Sequence, residues 1–273
     1  MSSCKFIINA DDLGLNKAAN GKIKEYAERH LISSAVILAN GDAFDEAKSI
    51  ALTYTDLSIG AHLNLTQFRS LTKAHIFEHA GITDKNNVFT GVANYQNRKS
   101  IKLSYELNNA IYKEWDAQIS KLYDHGIKLS HIDGHNLVHY RKEFFFILKR
   151  LQKRFKIKRV RIRYGVRPYT FFVPFSFRQY VKGMWSVKPA IVWNAFIRYF
   201  PPITRTTNYL YPYISLYKAL KAGHKLPRKG IFELIVHPGC DYVEYFAEEN
   251  RLVEDRAIPN MVPGFDMITF NDI

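Results

Sequence analysis

With 273 residues, 47% of them apolar and 23% charged, the chain carries ample material for a soluble globular core in one large domain or two small ones. It has no apolar run of the roughly eighteen residues that a spanning helix needs, which excludes that class of membrane protein. The net charge of +14 gathers in "KRLQKRFKIKRVRIRYGVR" (149–167) and continues through 178–229 without any RNA- or DNA-binding motif, so nucleic acid is not an expected partner.

The first third of the chain alternates. Phe6–Ile8 reads as a buried strand, Asn16–His30 as a helix with Ala19, Ile23 and Ala27 on one face, Ala35–Leu38 as a second strand, Ala43–Leu52 as a second helix and Leu57–Leu65 as a third strand. Strand–helix alternation predicts a mainly parallel sheet, closed or open. Residues 67–100, with Gly81, Gly91 and many polar side chains, break the rhythm and read as an excursion. Helical spacing returns with Leu103, Leu107, Ile111, Trp115, Ile119 and Leu122 and stops near Gly126; strands follow at Leu129–Ile132, Arg159–Ile162 and Ile231–Val236. The segment 168–217, interrupted by Pro168, Pro174, Pro189, Pro201, Pro202 and Pro212, reads as a second, irregular excursion. No repeat or linker divides the chain, so one domain over 1–273 is expected. Cys4 and Cys240 are too few for a disulfide framework and "MSSCKFIINADD" has no signal-peptide pattern, which together predict a cytoplasmic location.

Titratable residues recur where these strands end. Asp11 and Asp12 follow the first; "SIGAHLNLT" places His62 at the end of the third; "SHIDGHNLVH" supplies His131, Asp133, His135 and His139; Arg161 and Arg163 lie at 159–163, and "ELIVHPG" brings His237. Active sites of parallel α/β folds lie at the C-terminal ends of strands. Any one of these residues has an ordinary reading as a helix cap, a buried histidine or a turn. Together, an Asp and two His make a good face for a divalent metal. Neighbouring carboxylates such as Asp11 and Asp12 repel, and a cation is the usual remedy. Other chemistries lose their signatures: no Glu follows the first His of His135-x-x-x-His139, and neither G-x-S-x-G nor G-x-G-x-x-G is present.

The blocks "INADDLGLNKAANGKI", "SSAVILANGDAFDEA", "IGAHLNLT", "SHIDGHNLVH", "VRIR" and "IVHPG" resemble, in order and from residue 6 to 239, the YdjC-type carbohydrate deacetylases, a group with chitooligosaccharide and hopanoid-glycolipid members. The resemblance implies a distorted (β/α) TIM-like barrel related to polysaccharide deacetylases and metal-dependent removal of acetyl from an N-acetylated sugar. It makes Asp12, His62 and His135 the metal ligands, Asp11 the general base and His237 the general acid; Asp133, His139, Arg161 and Arg163, from the same strand ends, are expected to bind the substrate. One divalent ion is implied, magnesium by family, although two His and an Asp also suit zinc. Related sequences often carry Ser and a second His where this chain has Gly134 and Asn136, so the sugar contacts of that loop do not carry over. Two other readings are a different metal hydrolase, such as a phosphoesterase, and a sugar- or glycolipid-binding module without activity. Expected partners are the acetylated sugar, an anionic membrane surface met peripherally by the aromatic and basic 168–217 stretch, and a second copy in a homodimer.

Overall fold

The structure is a computed structural model describing residues 3–91, 103–163 and 190–273; the portions 92–100 and 168–189 of the two expected excursions lie outside the described residues. Its elements are β1 (Ser3–Leu13), α1 (Lys17–Glu28), β2 (Ser34–Ile37), α2 (Phe44–Thr53), β3 (Ser58–Leu63), α3 (His75–His79), α4 (Tyr105–Asp124), β4 (Leu129–Gly134), α5 (Phe145–Phe155), β5 (Tyr209–Pro212), α6 (Tyr213–Lys221), β6 (Lys229–Val236), α7 (Glu244–Glu254), α8 (Ala257–Met261) and β7 (Asp266–Met267). A further helical stretch occupies 190–199. Local chemistry sets several starts: Asn16 caps α1 by accepting from the Ala19 N–H at 2.9 Å, and Ser104 caps α4 through Leu107 at 3.1 Å.

The sheet runs β4-β3-β2-β1-β6-β5, with β7 beside β1, and every pairing is parallel. Beyond β4 the edge continues, among the described residues, through single bridges, Ile132 to Val160 and Arg159 to Arg205. The result is an α/β fold whose parallel strands form a half-barrel. Among the described residues, the expected strand at 159–162 makes one isolated bridge on each side rather than a ladder, and a full barrel is not formed.

Alternation sorts the two faces. Phe6, Ile8 and Ala10 of β1, Ile59, Ala61 and Leu63 of β3, and Phe232, Leu234 and Val236 of β6 join the main apolar core shared with the helices. Their neighbours face the other way. There Ile7 meets Ile268 and Phe270, Ile235 meets Ile162 and Leu210, and the remaining positions are polar: Asn9, Asp11, His62, His131, Asp133 and Glu233, all buried. An apolar outer face and an ionic inner one place the chemistry before any side-chain contact is considered.

The irregular excursion expected at 168–217 contains ordered elements: the helical stretch at 190–199, β5 and most of α6. The 67–100 excursion is also partly built. It includes α3 and antiparallel bridges Arg69–Val88 and Thr83–Phe89. Glu114, fully buried on α4, anchors its start by accepting from the Leu71 N–H at 3.1 Å, the Thr72 N–H at 2.9 Å and the Thr72 hydroxyl at 2.7 Å.

Candidate active site

The two adjacent acids belong to β1 itself. On a regular strand they would point to opposite faces, Asp11 inward with Ile7 and Asn9 and Asp12 out toward the helices. The pairing of β1 with β2 slips at this point: Ala10 opposes Ala35 and Leu13 opposes Ile37, so β1 carries one extra residue. Asp12 absorbs it with a left-handed φ of 69°. The bulge turns its carboxylate back, and both acids line the same cavity of about 990 Å³.

His62, at the inner position of β3, opposes Asp133 of β4 in register. Asp12 Oδ1 stands 3.2 Å from His62 Nε2 and 2.8 Å from His135 Nδ1, and the two ring nitrogens lie 3.4 Å apart. These three atoms form a group able to hold a metal ion. The surroundings fit that use. Asp12 Oδ1 is buried without a well-directed hydrogen bond. The Nε2–H of His135 donates to Gln67 Oε1 at 2.8 Å, which turns Nδ1 toward Asp12. His62 turns its other nitrogen to Asp133 Oδ2 at 3.1 Å, the carboxylate-backed arrangement common behind metal-binding imidazoles. The Gln67 backbone is fixed in turn, because its main-chain carbonyl accepts from Asn40 at 3.3 Å and from Asn64 at 2.8 Å. Burial opposes ionisation of Asp12, yet His135 and His62 hold its carboxyl well below the usual range. Burial likewise works against charge on His62, but Asp12 and Asp133 raise it to about 10.

Beneath this cluster lies Arg161, fully buried. Its guanidinium grips Asp11 in two-pronged fashion at 2.7 and 2.9 Å, reaches Glu233 at 2.5 Å and pairs with Asp133. Asn9 donates to Asp11 at 2.8 Å. One cation thus serves three carboxylates, and their properties diverge. Burial opposes ionisation of Asp133 but Arg161 and His62 keep it below the normal range, whereas burial pushes Glu233 up to about 7 despite Arg161. His139, packed against Asp133 at 3.5 Å, is driven down to about 4 by burial, and His131 falls well below its usual value for the same reason.

On the opposite wall His237 keeps 24% of its side chain exposed, enough to meet a ligand. Glu249 of α7 accepts from its backbone N–H at 2.9 Å and faces its Nδ1 at 3.3 Å, and Phe246 packs on the ring at 4.5 Å. Burial lowers its affinity for a proton, but Glu249, Asp11 and Asp12 raise it overall. The segment after β4 is bent sharply: Asn136 and Leu137 are consecutive left-handed residues at φ 51° and 60°. Gly134 is needed there, because a Cβ would sit 2.6 Å from His139 Nδ1.

The structure therefore brings Asp11, Asp12, His62, His135 and His237 to one cavity. Asp133, His139 and Arg161, expected near the substrate, are fully buried below it and do not line it. Arg163 also stays out of the lining, its main chain bonded to Asn194 at 2.8 and 3.1 Å. Sequence reasoning passed over Gln67, Glu233 and Glu249. Of these only Glu233 left a trace, as one acid inside the apolar run "IFELIV".

A family model described as YdjC-like protein matches residues 5–260. The chain belongs to the YdjC-like family. Within that family, a carbohydrate deacetylase of Halalkalibacterium halodurans is 29% identical over 153 residues, 56% of this chain and 62% of the relative. One from Listeria monocytogenes is 36% identical over 134 residues, 49% of this chain and 52% of the relative. The match thus spans about half to three-fifths of these curated relatives. In three dimensions this YdjC-like chain resembles a crystal structure from Enterococcus faecalis V583, a protein provisionally named for cellobiose-phosphate cleavage. The TM-score is 0.69 at 21% identity, with 99% of both chains covered, so the fold is shared.

Proposed function

We propose that this chain is a metal-dependent carbohydrate N-deacetylase that hydrolyses the acetamide of an N-acetylated sugar, free or lipid-linked. The observation that carries the reading is the bulge at Asp11–Asp12, which sets one acid in the Asp12–His62–His135 group and the other beside it in the same cavity. The names of the curated relatives support it. When bound, a divalent ion (magnesium by family, with zinc suited to the imidazoles) supplies Lewis acidity toward a carbonyl and toward water. Asp11 is the general base. Arg161 and Asn9 fix its plane, and Oδ2, which accepts only from Arg161, retains a lone pair for the proton of the attacking water. His237, whose affinity for a proton Glu249 raises, donates to the leaving nitrogen, so amide and water become amine and acetate. Phe68, Phe246 and Tyr242 in the lining offer faces on which a sugar ring can stack.

The phosphoesterase alternative finds less support: no described lining residue is Lys or Arg, and Asp42 adds a third carboxylate. A neutral acetylated sugar suits such walls better than a phosphate. We read the half-barrel as a distorted barrel acting in the cytoplasm. The test is acetate release from N-acetylglucosamine oligomers and glycolipids, run beside phosphate release from sugar phosphates, with metal content measured on each variant. Asp12→Ala, His62→Ala and His135→Ala should lose metal, while Asp11→Asn keeps metal and loses turnover. Normal turnover in Asp11→Asn, or phosphate release without acetate release, would overturn the reading.

A further inference from the structure

The helical stretch 190–199 is apolar on both sides. Ala190, Trp193 and Ile197 are buried against the body, where Trp193 meets Phe145 at 5.6 Å. Its outward residues Ile191, Val192, Phe196 and Tyr199 are exposed, and the chain continues into exposed Phe200 and Ile203, the last 65% open. From α5, Phe146 (62% open) packs on Phe200 at 5.6 Å and widens the patch. A solvent-facing helix stripe normally carries charge, and a continuous apolar patch of this kind marks a surface that something covers.

Charge says what. From Phe144 to Phe232 the sequence holds 20 Lys and Arg and not one Asp or Glu. On α5 the exposed stripe continues from Phe146 to Arg150 and Lys153, spaced four and three apart, with exposed Lys142 just before the helix. A second copy seated here would press one cationic face on another, the acids beside α5, Asp116 and Glu143, being already paired with Arg154 and Arg141. An anionic lipid surface satisfies both halves at once: aromatic and aliphatic side chains enter the headgroup boundary while the cations meet phosphate groups. We propose that the face made by residues 190–203 and α5 docks on an anionic membrane surface. It adjoins the candidate site, since Tyr140, five residues after His135, packs edge-on against Trp193 at 6.2 Å. Docking through this face is independent of the reaction performed in the cavity.

The experiment is co-sedimentation of the purified chain with vesicles of phosphatidylcholine alone or with about one third phosphatidylglycerol, at low and high salt. Two double variants accompany it, Phe196→Ser with Ile203→Ser and Lys142→Glu with Lys153→Glu, all at exposed positions and checked for unchanged thermal unfolding. The wild type should bind the anionic vesicles at low salt, and each double variant should weaken that binding by about tenfold or more. High salt should release the wild type, as screening shortens the reach of the cations. Wild type left in the supernatant with anionic vesicles at low salt would overturn the proposal. So would equal binding by both variants, or a wild-type dimer that the variants split without any vesicle binding.

Discussion

Glu233→Gln tests whether burial or Arg161 governs the ionic floor beneath the cavity. Glu233 is fully buried on β6, with one carboxylate oxygen 2.5 Å from Arg161 Nε and the other without a hydrogen-bond partner. Burial raises its pKa from 4.5 to about 7, with Asp133 and Asp11 adding to the rise against Arg161. A carboxyl whose folded pKa is raised contributes stability that is full below about 4.5 and is lost as pH climbs through 7. At about 1.4 kcal/mol per pKa unit, two and a half units amount to about 3 kcal/mol lost across that window. Gln keeps the bond from Arg161 and cannot ionise. Its amide brings a buried donor that costs about 1–3 kcal/mol at every pH, so the readout is the slope and not the absolute stability. In urea unfolding of both proteins at pH 5, 6, 7 and 8, the variant should gain on wild type by about 2–3 kcal/mol from the lowest pH to the highest. Parallel curves would mean that Glu233 is ionised throughout, that Arg161 outweighs burial, and that the reasoning is wrong.

Three further outcomes are expected. Lys149, buried on α5, donates to the carbonyls of Ile197 at 2.6 Å and Pro202 at 2.9 Å and to the Thr204 hydroxyl at 2.8 Å; Lys149→Met should cost about 2–4 kcal/mol in urea unfolding and speed protease cleavage within 197–204. His139, held near 4 against 6.5 when unfolded, contributes stability that is lost as pH falls from about 6.5 to 4, so His139→Gln should flatten the acid limb of the stability–pH curve by up to about 3 kcal/mol. Leu137 adopts φ 60° with 41% of its surface open, and Leu137→Gly should relieve the left-handed strain for a net gain of about 0.5–1 kcal/mol, read from the urea midpoint.

The inward residues of β1, β3 and β4 were legible because each follows a short apolar run, and such a run reports where a buried strand stops. That logic found Asp11, Asp12, His62, His135 and His237 without any contact information. It could not tell depth. Arg161 and Asp133 sit on the same inner face as His62, and only the three carboxylates converging on one guanidinium show that they lie below the cavity. Glu249 and Gln67 were hidden for another reason: they come from α7 and from the loop after β3, and nothing local in "EENRL" or "NLTQF" marks a residue whose partner is a histidine elsewhere in the chain. Strand β5 escaped because Pro212 and its tyrosines imitate a loop, and its pairing with β6, Tyr209 opposite Phe232 to Pro212 opposite Ile235, is long-range.

The extra residue in β1 makes neighbours of two tasks that could have been assigned to separate strands. With consecutive Cα atoms about 3.8 Å apart, Asp12 cannot rotate without twisting the peptide that carries Asp11. Asp12 leans on two imidazoles from β3 and the segment after β4, while Asp11 is bolted to Arg161 from the far edge of the sheet. The bulge is therefore a mechanical joint between two separate sets of partners. A shift of Asp12 toward its imidazoles is carried through a single peptide unit to the carboxylate that Arg161 holds.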